Sequence, residues 1–369
     1  MLKVLHFYRT YYPDSFGGIE QVIRQLAVGT GRLGVQNSVL SLSRNPEPAV
    51  MEFEGHQIYR SKLNFEVAST GFSWQAISQF QELAAAADLI HYHFPWPFTD
   101  VVHFLSRVKK PTVLTYHSDI VRQKNLLKLY TPLKHQFLKD VTRIVATSPN
   151  YSATSPVLER YKDKTEVITL GLDKAIYPVP DQSLLESWRQ QVGQGFFLFV
   201  GILRYYKGLH ILLDAVAGTN IPVVIVGDGP EELELKAQAQ KLGLYNVKFL
   251  GALPEPDKVA LLQLCLALAC PSHLRSEAFG ISLLEAAMFG KPMISSEIGT
   301  GTTYINVANQ TGLVVPPSDA MALRDAMQTL LAQPELATQM GRAAEQRFQD
   351  LFTAERMAEN YMQLYQRIA

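Results

Sequence analysis

"FFLFVGILRYYKGLHILLDAVAGTNIPVVIVGDG", residues 196–229, contains a complete strand–helix–strand unit. "FFLFVG" is an unbroken apolar run closed by glycine, the pattern of a strand buried on both faces. "GLHILLDAVA" follows at helical spacing, and "PVVIVGDG" is a second apolar strand that again ends in glycine. Strands of this kind joined by helical crossovers form a parallel sheet. Downstream the rhythm continues with helix "EELELKAQAQKLG", strand "NVKFLG", helix "PDKVALLQLC", strand "LALACPS", helix "ISLLEAAMF" and strand "KPMISS". Upstream the same alternation occurs independently. "KVLHFY" is a strand, and "GGIEQVIRQLAVGTGRLG" is a helix with Ile19, Val22, Ile23, Leu26 and Ala27 on one face. "NSVLSL", "ADLIHYH", "PTVLTYHS" and "RIVATS" are further strands spaced for crossovers. "EVITLGLDKAIYPVPDQS" breaks the pattern and reads as a linker. The chain is therefore predicted to be α/β, with two Rossmann-like, doubly wound domains at residues 1–175 and 190–353. Ligands of such sheets sit at the carboxyl ends of the strands, so two facing sheets predict a ligand in a cleft between them.

The length of 369 residues suits two domains rather than one, and 47% apolar with 18% charged residues is a globular composition. Lys plus Arg (34) balances Asp plus Glu (34), which sets aside the nucleic-acid binders, usually basic overall. The two cysteines, Cys265 and Cys270, give neither a disulfide framework nor metal-site spacing. "MLKVLHFYRTYYPD" lacks a secretory apolar core, and no run approaches the ~20 apolar residues of a membrane span. The expectation is a cytoplasmic protein, at most peripheral on the inner face of the plasma membrane.

"SEAFGISLLEAAMFGKP", Ser276 to Pro292, sets the functional question. A short core helix carries Glu277 just before its apolar run and Glu285 inside it, although a buried carboxylate needs a partner. The amides near Phe279 and Gly280 lie at the positive end of that helix. Glu277 can accept from sugar hydroxyls there, and Glu285, a turn further in, can hold both hydroxyls of a ribose. The alternative is two glutamates in ordinary helix positions. Arg204 and Lys207, in the loop after "FFLFVG", suit a diphosphate, or else form a solvated basic loop. Gly17–Gly18 and "VGDGP" with Gly227 follow strands and let backbone N–H groups approach an anion, or else serve tight turns. Neither is the dinucleotide fingerprint or the phosphate loop with its lysine.

"SEAFGISLLEAAMFGKPMISS" resembles the signature of the retaining family 4 glycosyltransferases of the GT-B fold, and "YYPDSFGGIEQ", "VGILRYYKG", "VGDGP" and "FLGALP" fall in that family's order. The resemblance spans nearly the whole chain. It implies that Glu277 holds the donor sugar and Glu285 the ribose. The amides around Phe279, Gly280 and Ile281 would face the sugar and phosphates, with Gly227 on the donor side. Lys207 would bind the diphosphate, and the Gly17–Gly18 loop would close over it. His117, in "TYHSD", would stand at the reacting carbon. No metal or other cofactor is implied. One departure stands out: many members carry arginine directly after the strand glycine, where this chain has Ile202, with Arg204 two residues on. The resemblance also implies that the final helix, 354–369, crosses back onto the first domain through Met357, Tyr361, Leu364 and Tyr365.

His91 and His93 in "IHYHFPWPFTD" follow a strand. They read as acceptor-side lining in preference to metal ligation, because no third ligand is in view. Trp96 suits stacking on sugar, or packing. From Arg107 to Arg143 nine Lys/Arg face two acids, and Leu126, Tyr130, Leu133, Phe137 and Val141 make an apolar stripe among them. That stretch reads either as a packed helix with a solvated basic face or as a surface for anionic lipid involving Lys124, Lys128 and Lys139. "SSEIGTGTTYIN" resembles bacterial mannosyl- and rhamnosyltransferases of O-polysaccharide assembly. The expected activity is thus transfer of mannose from GDP-mannose to a lipid-linked saccharide in O-antigen (lipopolysaccharide) biosynthesis. UDP-sugar transferases, a sugar-nucleotide epimerase and a non-catalytic sugar-nucleotide binder are the competing readings.

Overall fold

The computed structural model describes residues 1–67, 70–120 and 124–369, without the side chains of residues 124–128. It divides into two compact units, Met1–Gly171 with Thr353–Ala369, and Leu172–Phe352.

The first unit is built on an eight-stranded sheet. In chain order its strands are β1 (Lys3–Phe7), β2 (Gln36–Ser43), β3 (Val50–Phe53), β4 (His56–Lys62), then β7 (Leu89–Phe94), β8 (Thr112–Tyr116), β9 (Arg143–Ala146) and β10 (Thr165–Val167). Between them β5 (Phe65–Val67) and β6 (Thr70–Phe72) form a separate hairpin. The sheet order is β10-β9-β8-β7-β1-β2-β4-β3, parallel throughout except for β3, which runs antiparallel to β4 at the edge. The hairpin and β3 were not foreseen, because short edge strands have half-exposed or fully exposed patterns such as that of Val50–Phe53. After β1 the chain builds outward on one side and then returns to β7 on the other. The topological switch therefore lies between β1 and β7.

Helix Gly18–Arg32 buries Val22, Ile23, Leu26 and Ala27, the stripe expected from the sequence. The last helix, Ala354–Ile368, belongs to this unit and buries Met357, Tyr361, Leu364 and Tyr365. The two helices approach closely at Gly29, where an added Cβ would stand 2.7 Å from the Ala358 Cβ. Tyr361 donates to or accepts from Thr115 Oγ1 at 2.7 Å, and Arg367 pairs with Glu166 at 2.6 Å.

The second unit has six strands: β11 (Phe197–Val200), β12 (Val223–Val226), β13 (Val247–Gly251), β14 (Ala267–Cys270), β15 (Met293–Ser296) and β16 (Gly312–Val315). Their order is β13-β12-β11-β14-β15-β16 and every pair is parallel. Here the switch lies between β11 and β14. The core is apolar on both faces of the sheet, as the opening stretch predicts, with Phe197 and Val223 on one face and Leu198 and Val224 on the other, all at 0–1% exposure. The expected linker, residues 166–183, contains the boundary between the units but is partly built into regular elements. The first unit ends at Gly171, β10 opens the stretch, and helix Gln182–Val192 begins inside it. Asp181 caps that helix through the Leu184 amide at 2.8 Å, and Leu185, Trp188 and Val192 are buried. The prolines just before Asp181 conceal a helix start that the cap itself announces.

Candidate active site

In the second unit the site forms at the switch point. β11 and β14 are neighbours, so the loops at their carboxyl ends meet. After β11 the chain makes one tight turn, Tyr205–Lys207, and Gly208 enters the left-handed region at φ 72° before helix Leu209–Val216. A Cβ at Gly208 would lie 2.1 Å from the Pro271 carbonyl oxygen, so only glycine lets this loop pass the end of β14. That passage delivers Lys207 to Glu277. Lys207 Nζ pairs with Glu277 Oε2, and Ser272 Oγ donates to the same oxygen at 3.1 Å. Burial pulls the Lys207 ammonium down, but Glu277, Tyr206 and Cys270 outweigh it and leave its pKa raised. Glu277 Oε1 has no partner among the described residues and remains an acceptor. Gly280, at φ 97°, caps helix Ile281–Met288, whose first amides have no partner within the helix. Phe279 is buried and Ile281 half-buried beside that end.

Glu285 is buried one turn inside the same helix. Lys258 Nζ pairs with its Oε1 at 2.6 Å, and Tyr177 OH donates to that oxygen at 3.1 Å. Lys258 also reaches Glu255 at 2.8 Å. Burial lowers the Lys258 pKa, and Glu285 with Glu255 more than restore it, so the ammonium is held above its ordinary value. Neither Lys258 nor Tyr177 was singled out from sequence. Lys258 sits in a polar first turn, and Tyr177 lies in the stretch read as linker; only the fold joins them to Glu285. Both glutamates thus have a lysine partner, which is how the helix tolerates them.

The glycine loop is explained by packing. Gly227 donates its N–H to the Gly251 carbonyl at 2.8 Å, so that amide does not face a ligand. Its φ is +130°, and a Cβ would stand 2.1 Å from the Gly201 carbonyl oxygen. At Gly227 this packing supports the tight-turn alternative. Arg204 is exposed and its side chain makes no ion pair or hydrogen bond among the described residues, and Ile202, two positions before it, is 47% exposed.

In the first unit Gly17 caps helix Gly18–Arg32, but the chain's own Glu20 occupies that end. An added Cβ on Gly17 would meet Glu20 Oε2 at 2.5 Å, and Glu20 Oε1 accepts from Thr10 and Ser15 hydroxyls, both at 2.7 Å. A carboxylate therefore already lies where Gly17 and Gly18 were read as an anion loop.

The histidines are placed by strand alternation. His6 on β1 is in register with His91 on β7, His93 lies two residues on along the same face, and His117 follows β8. All four are buried. His91 Nδ1 meets Tyr365 OH at 2.6 Å and its Nε2 meets Thr115 Oγ1 at 2.7 Å. His93 lies between His6, at 3.2 Å, and His117, at 3.1 Å. His91 and His93 are 0% and 1% exposed, so they line no acceptor surface, a correction to the sequence reading. A third histidine does come into reach, since His6, His91 and His93 bring ligand atoms within 4.8 Å of one another. Each of their ring nitrogens is nonetheless taken by a hydrogen bond. Trp96 is also corrected: it is 1% exposed, packs 4.7 Å from Phe7 and donates Nε1–H to the Gly71 carbonyl at 3.2 Å.

The basic stretch forms helix Lys124–Asp140. Lys124 and Lys128, and Leu126 of the apolar stripe, have side chains outside the described residues. Phe137 and Val141 are buried and Lys139 is exposed, which favours the packed helix with a solvated basic face. Among the described residues no helix is long and apolar enough to cross a membrane.

Two doubly wound units, each with polar residues at its switch point, form a fold that takes ligands at the carboxyl ends of its strands. Residues 16–175 match the family described as glycosyltransferase family 4, and residues 182–347 match glycosyl transferases group 1. The fold is that of sucrose-phosphate synthase from Thermosynechococcus elongatus, with a TM-score of 0.83 over 100% of this chain and 99% of that one at 23% identity. The chain belongs to the family 4 glycosyltransferases, of the GT-B fold. It is 61% identical over 353 residues to the D-rhamnosyltransferase WbpZ of Pseudomonas aeruginosa, covering 96% of this chain and 93% of that protein. It is 50% identical over 365 residues to O-antigen chain mannosyltransferase C of Escherichia coli, covering 99% and 98%.

Proposed function

We propose that this glycosyltransferase moves a manno-configured hexose, with retention, from a guanosine diphosphate donor onto a lipid-linked saccharide during O-antigen assembly. The observation that carries the reading is the Lys207–Glu277 pair at the β11/β14 switch point, where an ammonium and a free carboxylate oxygen stand side by side. Lys207 is suited to the diphosphate, and Glu277 Oε1 to a hydroxyl of the hexose. In the transfer, the bond from C1 to the phosphate oxygen breaks and the bond from C1 to the acceptor oxygen forms on the same face. The acceptor's proton passes to the departing diphosphate, whose growing charge Lys207 stabilises. No metal enters this scheme.

The sugar is proposed from the two near-full-length relatives, one named for D-rhamnose and one for mannose. D-Rhamnose is 6-deoxy-D-mannose, so both share the hydroxyl configuration from C2 to C4 and differ only at C6. We place D-rhamnose ahead of the mannose expected from sequence, on the higher identity to the relative named for it. A lipid-linked acceptor would bring the enzyme to the cytoplasmic face of the membrane. The test incubates the purified protein, with chelator, with GDP-D-rhamnose, GDP-mannose or UDP-glucose and a lipid-linked saccharide acceptor. Transfer from a GDP-linked manno-hexose despite chelator is expected. Transfer from UDP-glucose alone, or none from any donor, overturns the proposal.

A further inference from the structure

The buried histidines of the first unit form an ordered chain of hydrogen bonds that starts at an amide and ends at His117. Asn37 Nδ2 donates to the Ala27 carbonyl at 2.8 Å and approaches Thr30 Oγ1 at 2.9 Å. Thr30 spends its own hydroxyl proton on the Leu26 carbonyl at 2.7 Å, so both neighbours of Asn37 Nδ2 are acceptors. The orientation of the Asn37 amide is thereby fixed, and its Oδ1 can only accept. His6 Nε2 lies 3.2 Å from that oxygen and must carry the hydrogen. Burial lowers the pKa of His6 and of His117 to about 3 and holds that of His93 well below the ordinary value. All three rings are therefore neutral near pH 7, with one N–H each. With its hydrogen on Nε2, His6 Nδ1 is a lone pair and accepts from His93 Nε2 at 3.2 Å. His93 Nδ1 is then a lone pair and accepts from His117 Nε2 at 3.1 Å. Each link leaves only one choice for the next. At the end of the chain His117 Nδ1 carries no hydrogen and has no partner among the described residues.

We infer that Asn37, His6 and His93 are positioning residues that lock His117 as the Nε2–H tautomer, so that its Nδ1 accepts a hydrogen bond from a substrate hydroxyl. The inference rests on the proposed transferase reading and on the expectation, implied by the family resemblance, that His117 stands near the reacting carbon. The chain is a clamp rather than a proton path, because the Asn37 amide at its inner end cannot take up a proton. It also sets what His117 selects. A fixed acceptor favours a hydroxyl and disfavours a phosphate or carbonyl oxygen, which would meet it lone pair to lone pair. His91 is outside the chain, since its two nitrogens are bonded to Tyr365 and Thr115, but its ring stacks on His93 at 4.4 Å and helps hold that ring in place.

The ¹⁵N spectrum of the intact protein labelled on its nine histidines tests this, with the spectrum of His117→Gln identifying the signals of His117. The expected result near pH 7 is a protonated Nε2 and an unprotonated Nδ1 at His117. In His93→Phe the ring stack persists but His117 Nε2–H has no acceptor. Its two nitrogen signals should then move towards each other as the tautomers mix. The kcat/KM for sugar transfer should fall roughly tenfold, the worth of one placed hydrogen bond, with GDP affinity unchanged. His93→Asn, whose side-chain oxygen can stand near the missing Nδ1, should restore the single tautomer and part of the rate. Finding His117 as the Nδ1–H tautomer in the wild type overturns the inference, and that measurement requires no variant to fold. Unchanged transfer in folded His93→Phe with mixed tautomers also overturns it. Because the spectrum needs neither donor nor acceptor, a locked tautomer without any hexose transfer would instead refute the proposed function.

Discussion

Replacing Glu277 by glutamine separates the two roles that this carboxylate has in the second unit. In the free enzyme Glu277 neutralises Lys207, and among the described residues no other carboxylate pairs with that ammonium. Glutamine keeps an acceptor for Ser272 but leaves a buried cation alone. Breaking a buried pair from one side costs about 3–5 kcal/mol. The low end applies here, because 12% and 9% of the two side chains remain exposed. For a unit of this size each kcal/mol is worth ~2–4 °C, so the ligand-free melting temperature should fall by about 6–12 °C. Burial lowers the Lys207 pKa and Glu277 raises it, with the net shift upward. A raised lysine contributes stability that is complete below its unfolded value of about 10.4 and is lost as pH rises through the higher folded one. In the variant burial acts on Lys207 without Glu277 to oppose it, so the stranded ammonium gives up its proton more readily and the deficit should be no larger at pH 8 than at pH 6. A diphosphate supplies the missing anion, so GDP should raise the melting temperature of Glu277→Gln by more than that of the wild type, while hexose transfer falls. Differential scanning fluorimetry with and without GDP, beside a transfer assay, measures both. A variant with the wild-type melting temperature and the wild-type GDP shift would refute the coupling. A variant that binds GDP more weakly would show that Glu277 serves the nucleotide rather than the sugar.

Gly227→Ala should lower the unfolding free energy of the second unit, measured by urea titration, by at least ~3 kcal/mol, since its Cβ would meet the Gly201 carbonyl oxygen at 2.1 Å on a backbone with φ +130°. Gly243→Ala, at φ +65° with nothing within 4 Å, should lose only about 1–2 kcal/mol, and equal losses would remove the packing account of Gly227. The first unit should weaken in mild acid, because burial keeps His6 and His117 neutral down to about pH 3 while the unfolded chain takes up protons below about pH 6.5. These are depressed groups, so stability present above the unfolded value is lost as pH falls, at about 1.4 kcal/mol per pH unit for each histidine engaged. Urea titrations of unfolding at pH 7, 6, 5 and 4.5 should show more than one proton taken up below pH 5.5, and a flat profile there would contradict the neutral cluster.

The apolar strand runs made both sheets readable, because a strand buried on two faces leaves little choice of residue. "PVVIVGDG" and "LALACPS" became β12 and β14 for that reason. The edges were less readable. Val50–Phe53 and Gly312–Val315 lie at the ends of their sheets, where half-solvated residues carry a weaker pattern. Sequence singled out Glu277, Glu285 and Lys207 as candidates but not how they are held. Lys207 meets Glu277 because β11 adjoins β14, and that adjacency is a property of strand order, which no local spacing encodes. Tyr177 and Lys258 were missed for the same reason. His91 and His93 were misread because alternation shows only that two side chains share a face. Which face is covered by helices Gly18–Arg32 and Ala354–Ile368 is decided elsewhere in the chain.

The two switch points solve one problem in opposite ways, and the difference bears on what each can bind. Between β11 and β14 the polar groups stay charged, since each lysine there has a carboxylate that outweighs its burial. Between β1 and β7 no carboxylate among the described residues bonds to His6, His91 or His93, and burial keeps the imidazoles neutral. A paired ammonium can pass its charge to an incoming anion, so the first arrangement suits a diphosphate whose charge grows as the bond to sugar breaks. A neutral imidazole with its hydrogen directed inward offers only a lone pair, so the second suits an uncharged hydroxyl. Adding a positive charge at His117 would place a new cation in a buried cluster where no carboxylate among the described residues bonds to it, at a cost that the surrounding rings cannot offset. The arrangement therefore works only while those histidines remain neutral, which ties sugar transfer and the acid stability of the first unit to the same set of rings.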